Sequence, residues 1–137
     1  MANALYGKGR QSILEGGVAF LADNIKAALV NIAGGHYTLA IDSDQYLAAI
    51  AAGDRVAISG NLTSKTSTLG VADAADITFP TVSGAVCGAI VIYKDNGNPA
   101  TSPLIAYIDT ATGLPVTPNG GDITVQFDNG SNKIFKL

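Results

Sequence analysis

Two nearly continuous apolar runs, separated by a short turn segment, constrain the fold more than any other feature of the chain. The runs are CGAIVIYK (87–94) and SPLIAYIDT (102–110), and the segment between them contains the turn dipeptides Asn96-Gly97 and Asn98-Pro99. Strands this rich in apolar residues are usually buried on both faces of a sheet. The segment 87–109 therefore predicts a β-hairpin at the centre of the fold.

Further strand patterns occur on both sides of this hairpin. NIKAALVNI (24–32) is short, apolar and followed by glycines, which favours a buried strand, and a weakly alternating, Thr- and Ser-rich stretch follows from residue 55. ADITFP (75–80) is a further candidate, and DITVQF (122–127) alternates as a strand with one buried face. KIFKL (133–137) is predicted to be the return strand of 122–127. The pattern indicates a mainly β fold, either an antiparallel β-sandwich or a flattened barrel.

One or two short helices are expected in the first third of the chain. RQSILEGG (10–17) predicts a turn or two of helix ended by Gly16-Gly17. DSDQYLAAIAAG (42–53) has the strongest helix signal, with acidic residues at its start and a terminating glycine. Without a linker or an internal repeat, the organisation predicted is an N-terminal arm (1–16) followed by a single β-rich domain (17–137).

The composition points to a folded protein that works in an assembly. Hydrophobic residues make up 47% of the chain and charged residues 14%, whereas charged residues usually make up about 25%. The apolar content argues against intrinsic disorder. The low charge implies a surface that is polar through Ser, Thr, Asn and Gly, and such a surface protects a monomer only weakly from association.

Charge and hydropathy exclude two classes of partner. The net charge is −3, and the eight Lys and Arg residues are scattered, whereas nucleic-acid binding requires clustered cations. No stretch approaches the roughly 18–20 apolar residues that cross a bilayer. The opening sequence also lacks the basic and then apolar pattern of a secretory signal. We therefore expect no nucleic-acid or membrane partner, and synthesis in a cytoplasm.

The sequence offers little catalytic chemistry. His36, the one histidine, has no ligand or base at a useful spacing, and Cys87, the one cysteine, lies among apolar residues that would keep its thiol inert. Neither the serine nucleophile motif nor a phosphate-binding glycine motif occurs. The chain is accordingly predicted not to be an enzyme and to need no cofactor.

Clustered acidic residues, amides and glycines raise the question of a calcium site. The clusters are DSD (42–44), DAAD (73–76), Asn119 to Asp122 and Asp128 to Gly130. The spacing of an EF-hand loop is absent. Asp122 and Asp128 would lie about 20 Å apart on a straight strand, which is too far to share an ion. The clusters are therefore interpreted as turns and element starts, with no metal site.

Read as a whole, the chain resembles a family of small virion structural proteins of tailed bacteriophages. The likeness rests on MANALYGKGRQSILEGG, on IKAALV, on AAGDRVAISGNLTSKTSTLGVADAADITFPTVSG and on the block from AIVIYK to the C-terminus. Within that block, the long run SPLIAYIDTATGLPVTPNGGDI is the most specific. The segment GGHYTLAIDSDQYLAAIAAG is richer in alanine than the family pattern, and Cys87 occupies a position that is polar in the family.

The resemblance implies a virion structural protein without catalytic residues. The resemblance favours a capsid decoration (cement) protein on the outer face of the head lattice. The alternative position in the virion is that of a tail, baseplate or fibre-base subunit. The partners implied are the major capsid protein and copies of the chain itself, as a dimer or trimer. The resemblance implies a location in the virion and favours the capsid surface, after synthesis in the cytoplasm of the bacterial host.

The N-terminal arm is the predicted partner interface. Its candidate residues are Leu5, Tyr6, Lys8 and Arg10, two apolar side chains that are unfavourable in solvent and two cations suited to an acidic capsid surface. The alternative is that the arm packs on its own domain. A glycan-binding β-sandwich on the virion is also considered, with aromatic stacking platforms at Tyr37, Tyr46, Tyr93 and Tyr107.

Overall fold

The fold is mainly β and is built on one five-stranded antiparallel sheet. The computed structural model describes residues 4–127 and 134–137. The sheet has the strand order β1-β7-β6-β2-β3, and two small sheets pair β4 with β9 and β5 with β8. Within the described ranges the strands are β1 (Ala4–Leu5), β2 (Ile25–Val30), β3 (Arg55–Ile58), β4 (Val71–Ala72), β5 (Ile77–Phe79), β6 (Ala89–Lys94), β7 (Leu104–Ile108), β8 (Ile123–Val125) and β9 (Phe135–Lys136).

The predicted central hairpin is confirmed as β6 and β7. The two strands pair antiparallel from Ile90 opposite Ile108 to Tyr93 opposite Leu104, with a bulge at Ile105. All five residues of β7 are buried, as are the first five of β6. Asn96 organises the connection, because its side-chain oxygen accepts hydrogen bonds from the Asn98 amide and the buried Ser102 hydroxyl. The continuous apolar runs are therefore the centre of the fold.

The two faces of the central sheet are covered differently. We call the first the sandwich face: Ile25, Leu29, Ile90 and Ile92 pack there against the two small sheets, which contribute Phe79, Val125 and Phe135. We call the second the loop face, formed by Ala28, Val30, Val91 and Tyr93. The chain between β2 and β3 and the side chain of Tyr6 cover it, and Tyr37, Leu47 and Ile50 supply its apolar contacts. Because the sheet does not close on itself, the arrangement is sandwich-like rather than a closed barrel.

The expected short N-terminal helix is present as α1 (Gly7–Leu14). It ends as predicted at the glycine pair: Gly16 has φ 81°, and the amides of Gly16 and Gly17 bond the carbonyls of Ile13 and Ser12. These two bonds form a Schellman motif, which satisfies carbonyls at the end of the helix. Among the described residues, no helix has the length and hydropathy needed to cross a membrane.

The helix predicted over 42–53 is wrong. The segment contains 3-10 turns at Leu47–Ala49 and, overlapping its end, Ala52–Asp54, but no α-helix. The amides of Leu47 and Ala48 instead donate to the carbonyls of Ser102 and Pro99 at 2.9 and 3.0 Å. Since a helix of two to three turns is marginal by itself, these tertiary hydrogen bonds determine the conformation.

The predicted C-terminal hairpin is also wrong in its pairing. β9 pairs with β4, joining Phe135 to Ala72, and β8 pairs with β5, joining Ile123 to Phe79. The strand predicted over 133–137 therefore exists in part, with a distant partner, and Lys133 lies outside the described residues. Its apolar side chains still enter the core, since Ile134 and Phe135 are buried.

Candidate functional site

The predicted interface segment is integrated into the sheet. Ala4 and Leu5 pair with Tyr107 and Ala106 of β7, and the Tyr6 amide donates to the Ile105 carbonyl at 3.0 Å. α1 then lies against the start of β7. A Cβ atom added to Gly9 would come within 2.6 Å of the Leu104 carbonyl oxygen, so glycine permits this close approach. The described part of the arm is thus a packed element of the domain.

Tyr6 is held by a buried chain of hydroxyl groups. The Tyr37 hydroxyl donates to Asp44 Oδ2 at 2.7 Å, and the hydroxyls of Tyr6 and Tyr37 lie 2.8 Å apart. Because Tyr37 gives its one proton to Asp44, Tyr6 is the donor to Tyr37. Burial raises the pKa of both Tyr6 and Tyr37 well above the usual range, and the nearby Asp44 carboxylate acts in the same direction. The chain of hydrogen bonds ties the N-terminal segment to the segment that covers the loop face.

The four predicted interface residues have different environments. Tyr6 is fully buried, so its assignment to a partner surface is corrected: it belongs to the core of its own domain. Leu5 is half-buried against the sandwich face, and Lys8 is half-buried as well. Arg10 is exposed on α1. Arg10 is therefore the residue of this set that the fold presents most fully to a partner.

A groove lies at one end of the central sheet. Its volume is about 510 Å³, and it lies where β2 and β7 end and β6 begins. Its described lining residues are Ile32, Ala33, Val86, Gly88, Asp109, Thr110 and Pro115. Among them Asp109 carries the charge, and the remainder of the wall is largely apolar. The Asp109 carboxylate is already engaged, because it accepts a hydrogen bond from the Tyr107 hydroxyl.

Sequence reasoning missed this groove because no local pattern marks it. Its residues come from separate connections that antiparallel pairing brings to one end of the sheet. A Cβ atom added to Gly88 would lie 2.6 Å from Ile32, so glycine there lets the two connections meet. The usable signal was topological: a strand and its antiparallel neighbour place their opposite ends together.

His36 and Cys87 each make a contact within the fold. His36 is exposed and its Nδ1 lies 2.7 Å from Asp54 Oδ1. Cys87 is buried, its Sγ lies 3.4 Å from the Ala85 carbonyl oxygen, and burial raises the pKa of its thiol. A raised thiol pKa disfavours the nucleophilic thiolate.

The described acidic clusters accept hydrogen bonds from backbone amides, within a turn at Asp44 and between distant segments at Asp76 and Asp122. Asp44 accepts from the Ala40 amide, Asp76 from the Phe127 amide and Asp122 from the Thr81 amide. Within the described ranges, no group of three or more ligand-type side chains is placed to hold a metal ion. The turn predicted at Asp128 to Gly130 lies outside those ranges.

The aromatic side chains considered as glycan platforms are mostly internal. Tyr37, Tyr93 and Tyr107 are buried, whereas Tyr46 is 37% exposed. Burial raises the pKa of Tyr93 to about 12 and also raises that of Tyr107. A buried ring cannot stack on a sugar, so three of the four proposed platforms are corrected to core residues.

Comparison with known proteins gives no assignment. No protein-family model matches the chain, and no curated protein matches it. The functional argument therefore depends on the sequence and the fold.

Proposed function

We propose that the chain is a virion structural subunit of a tailed bacteriophage, a capsid decoration protein that binds and stabilises the outer face of the head lattice. The sequence resemblance supplies the class. The most specific run of that resemblance, residues 102–123, contains strand β7 of the five-stranded sheet and continues to the start of β8.

The turn at Leu69 is the observation that carries the proposal. Leu69 has φ 54°, a conformation unfavourable for a residue with a Cβ atom, and its side chain is 92% exposed. Leu137, 59% exposed, lies beside this turn, since its amide donates to the Gly70 carbonyl at 3.1 Å. Backbone strain is concentrated at functional sites, so an exposed apolar side chain on a strained turn is a candidate contact residue for the lattice.

The composition supports the same role. With 14% charged residues, the chain has little charge to oppose close packing on a neighbour. A decoration protein stabilises a shell because it binds the assembled lattice in preference to free subunits. An apolar contact on a low-charge surface provides such binding when the lattice forms the complementary pocket.

Co-sedimentation with empty heads of the phage that encodes the chain tests the proposal. We expect wild-type protein to bind assembled heads and not the unassembled major capsid protein, and Leu69→Asp to lose most of that binding. Leu21→Asp, at a side chain that is 53% exposed, is the matched control and should bind like the wild type. Failure of wild-type protein to bind heads would refute the decoration role.

Cryo-electron microscopy of the virion distinguishes a position on the head from a position in the tail, baseplate or fibre base. The proposal predicts copies distributed over the head surface. Density confined to the tail, baseplate or fibre base would refute decoration and support the alternative station.

A further inference from the structure

We propose that Asn119 is a site of covalent self-modification, at which the folded chain loses a side-chain amide far faster than it does at Asn96. Within the described ranges, the Asn-Gly pairs are Asn96-Gly97 and Asn119-Gly120, and all four residues are exposed. Local sequence and solvent access therefore give the two pairs similar reactivity. The hydrogen bonds that the fold makes to each side chain distinguish them.

The reaction needs only the chain and water. The backbone nitrogen of Gly120 attacks the side-chain carbonyl carbon of Asn119 and forms an N–C bond. The bond from that carbon to Nδ2 breaks, and Nδ2 leaves as ammonia with the proton that the glycine amide has lost. Water then opens the resulting succinimide at either carbonyl and leaves aspartate or isoaspartate, without an oxidant or a reductant. Glycine favours the attack because it has no Cβ atom to crowd the ring.

The side chain of Asn96 is held at both of its polar atoms. Its Oδ1 accepts from the Asn98 amide at 3.2 Å and from the hydroxyls of Thr101 and Ser102 at 3.0 and 2.9 Å, and its Nδ2 donates to the Thr101 carbonyl at 2.6 Å. Ser102 is 1% exposed, so these bonds anchor the side chain to the core of the domain. The carbonyl carbon of Asn96 can rotate towards Gly97 only after they open.

The side chain of Asn119 is held at one atom. Among the described residues, its hydrogen-bond partner is the Gly121 amide, which donates to Oδ1 at 3.0 Å. Nδ2, the atom that leaves in the reaction, is not held by the described part of the chain. Rotation of this side chain towards Gly120 therefore requires fewer hydrogen bonds to open than at Asn96.

The attacking nitrogens do not reverse this contrast. The Gly120 amide donates to the Val82 carbonyl at 2.7 Å, and the Gly97 amide donates to Asp95 Oδ1 at 3.0 Å. Both nitrogens are thus engaged in the folded state. A hydrogen bond from Lys26 lowers the pKa of Asp95, so Gly97 faces a carboxylate whose negative charge opposes loss of the amide proton. This charge slows the reaction at Asn96 further.

Modification at Asn119 would alter the support of a strained turn. Thr81 has φ 52°, which is unfavourable for a β-branched residue. The next residue, Val82, is buried and pairs with the turn at Asn119, because its carbonyl accepts from the Gly120 amide and its amide donates to the Gly121 carbonyl. Isoaspartate inserts one carbon into the backbone next to this pairing and adds a negative charge. The modified chain should therefore hold the strained turn less firmly.

Peptide mapping of the full-length protein in mildly alkaline buffer tests the inference. A protease that cleaves before aspartate places the two pairs in different peptides, 95–108 and 109–121, and mass spectrometry gives the deamidated fraction of each over time. We expect Asn119 to react at least roughly tenfold faster than Asn96, because the additional hydrogen bonds at Asn96 must open first. Equal rates, or faster reaction at Asn96, would overturn the inference.

The unfolded chain is the matched control. In concentrated urea both pairs lose their tertiary contacts, so the two rates should approach each other. A ratio of rates that urea leaves unchanged would show that local sequence alone determines them, which would overturn the role of the fold.

Thr101→Val, at an exposed position, tests the cause of the difference. It removes the hydroxyl that donates to Asn96 Oδ1, so deamidation at Asn96 should accelerate while that at Asn119 stays the same. An unchanged rate at Asn96 would contradict the protection assigned to its hydrogen bonds. All three measurements use the isolated protein, so their outcome is independent of head binding.

Discussion

The two faces of the central sheet are both buried, but different interactions hold the covering segments in place. The sandwich face is covered by strands whose buried residues are apolar, such as Phe79, Val125 and Phe135. The loop face is covered by chain with little regular structure, and its cover is joined to the N-terminal segment by the hydroxyls of Tyr6 and Tyr37 and by Asp44. Burial of apolar surface is non-directional, whereas hydrogen bonds require fixed partners. We therefore expect the loop face to be more sensitive than the sandwich face to the loss of a polar group.

The largest expected effect is on the sandwich face. Phe79 is fully buried in β5, and Phe79→Ala removes a ring from the packed layer. We expect a loss of about 3–5 kcal/mol in the free energy of unfolding, measured by urea denaturation. Leu69→Ala, at a side chain 92% exposed, is the control and should change the free energy by less than about 0.5 kcal/mol. Equal small effects would mean that the layer is not packed.

High pH should weaken the loop face selectively. The pKa values of Tyr6 and Tyr37 are raised from 10.0 by burial, so both stay protonated in the folded state at a pH where the unfolded chain ionises. The two protonated tyrosines therefore make their full contribution to the free energy of unfolding below about pH 10, and this contribution is lost as the pH rises further. At about pH 11 each should reduce the free energy of unfolding by about 1.4 kcal/mol. Unfolding curves from about pH 8 to pH 11 test this, and constant stability would contradict it.

A methyl group added at the contact between α1 and β7 should destabilise the protein. Alanine favours a helix over glycine by about 1 kcal/mol, but overpacking against fixed neighbours costs about 1–3 kcal/mol. A Cβ atom at residue 9 would meet the backbone of Leu104 and Ile105, which cannot rotate away. We therefore expect Gly9→Ala to destabilise the protein in thermal unfolding. Gly34→Ala, with nothing within 4 Å, is the control, and a stabilising Gly9→Ala would show that α1 does not pack as described.

The smallest expected effect comes from the removal of a single hydroxyl group, that of Tyr6. Tyr6→Phe keeps the ring in the core and removes the hydrogen bond to Tyr37, which should cost about 0.5–1.5 kcal/mol. Tyr46→Phe changes an exposed tyrosine and should alter the free energy of unfolding by less than about 0.5 kcal/mol. Equal effects in urea denaturation would remove the distinction between the two faces.

The sequence predicts the central sheet better than the cover of its loop face for a physical reason. β6, β7 and β2 are recognisable because continuous apolar runs need burial whatever their neighbours are. The cover of the loop face depends on contacts between distant residues, such as Leu47 with Ser102 and Tyr6 with Tyr37. A helix pattern over 42–53 is too short to prevail over those contacts.

Strand pairing shows the same limit. Alternation identified β8 and the region of β9, but it carries no information about the partner. β8 and β9 pair with β5 and β4, more than 40 residues earlier, instead of with each other. The end groove likewise depends on which connections the topology brings together.

The central claim is that the N-terminal segment is a structural part of the domain, and native-state hydrogen exchange tests it most directly. The Tyr6 amide donates to the Ile105 carbonyl and the Gly7 amide to the Ile41 carbonyl, at 3.0 and 2.8 Å. We predict that both amides exchange as slowly as the amides of the central strands β6 and β7. Exchange of Tyr6 and Gly7 at the rate of an unprotected peptide, while β6 and β7 stay protected, would contradict the claim.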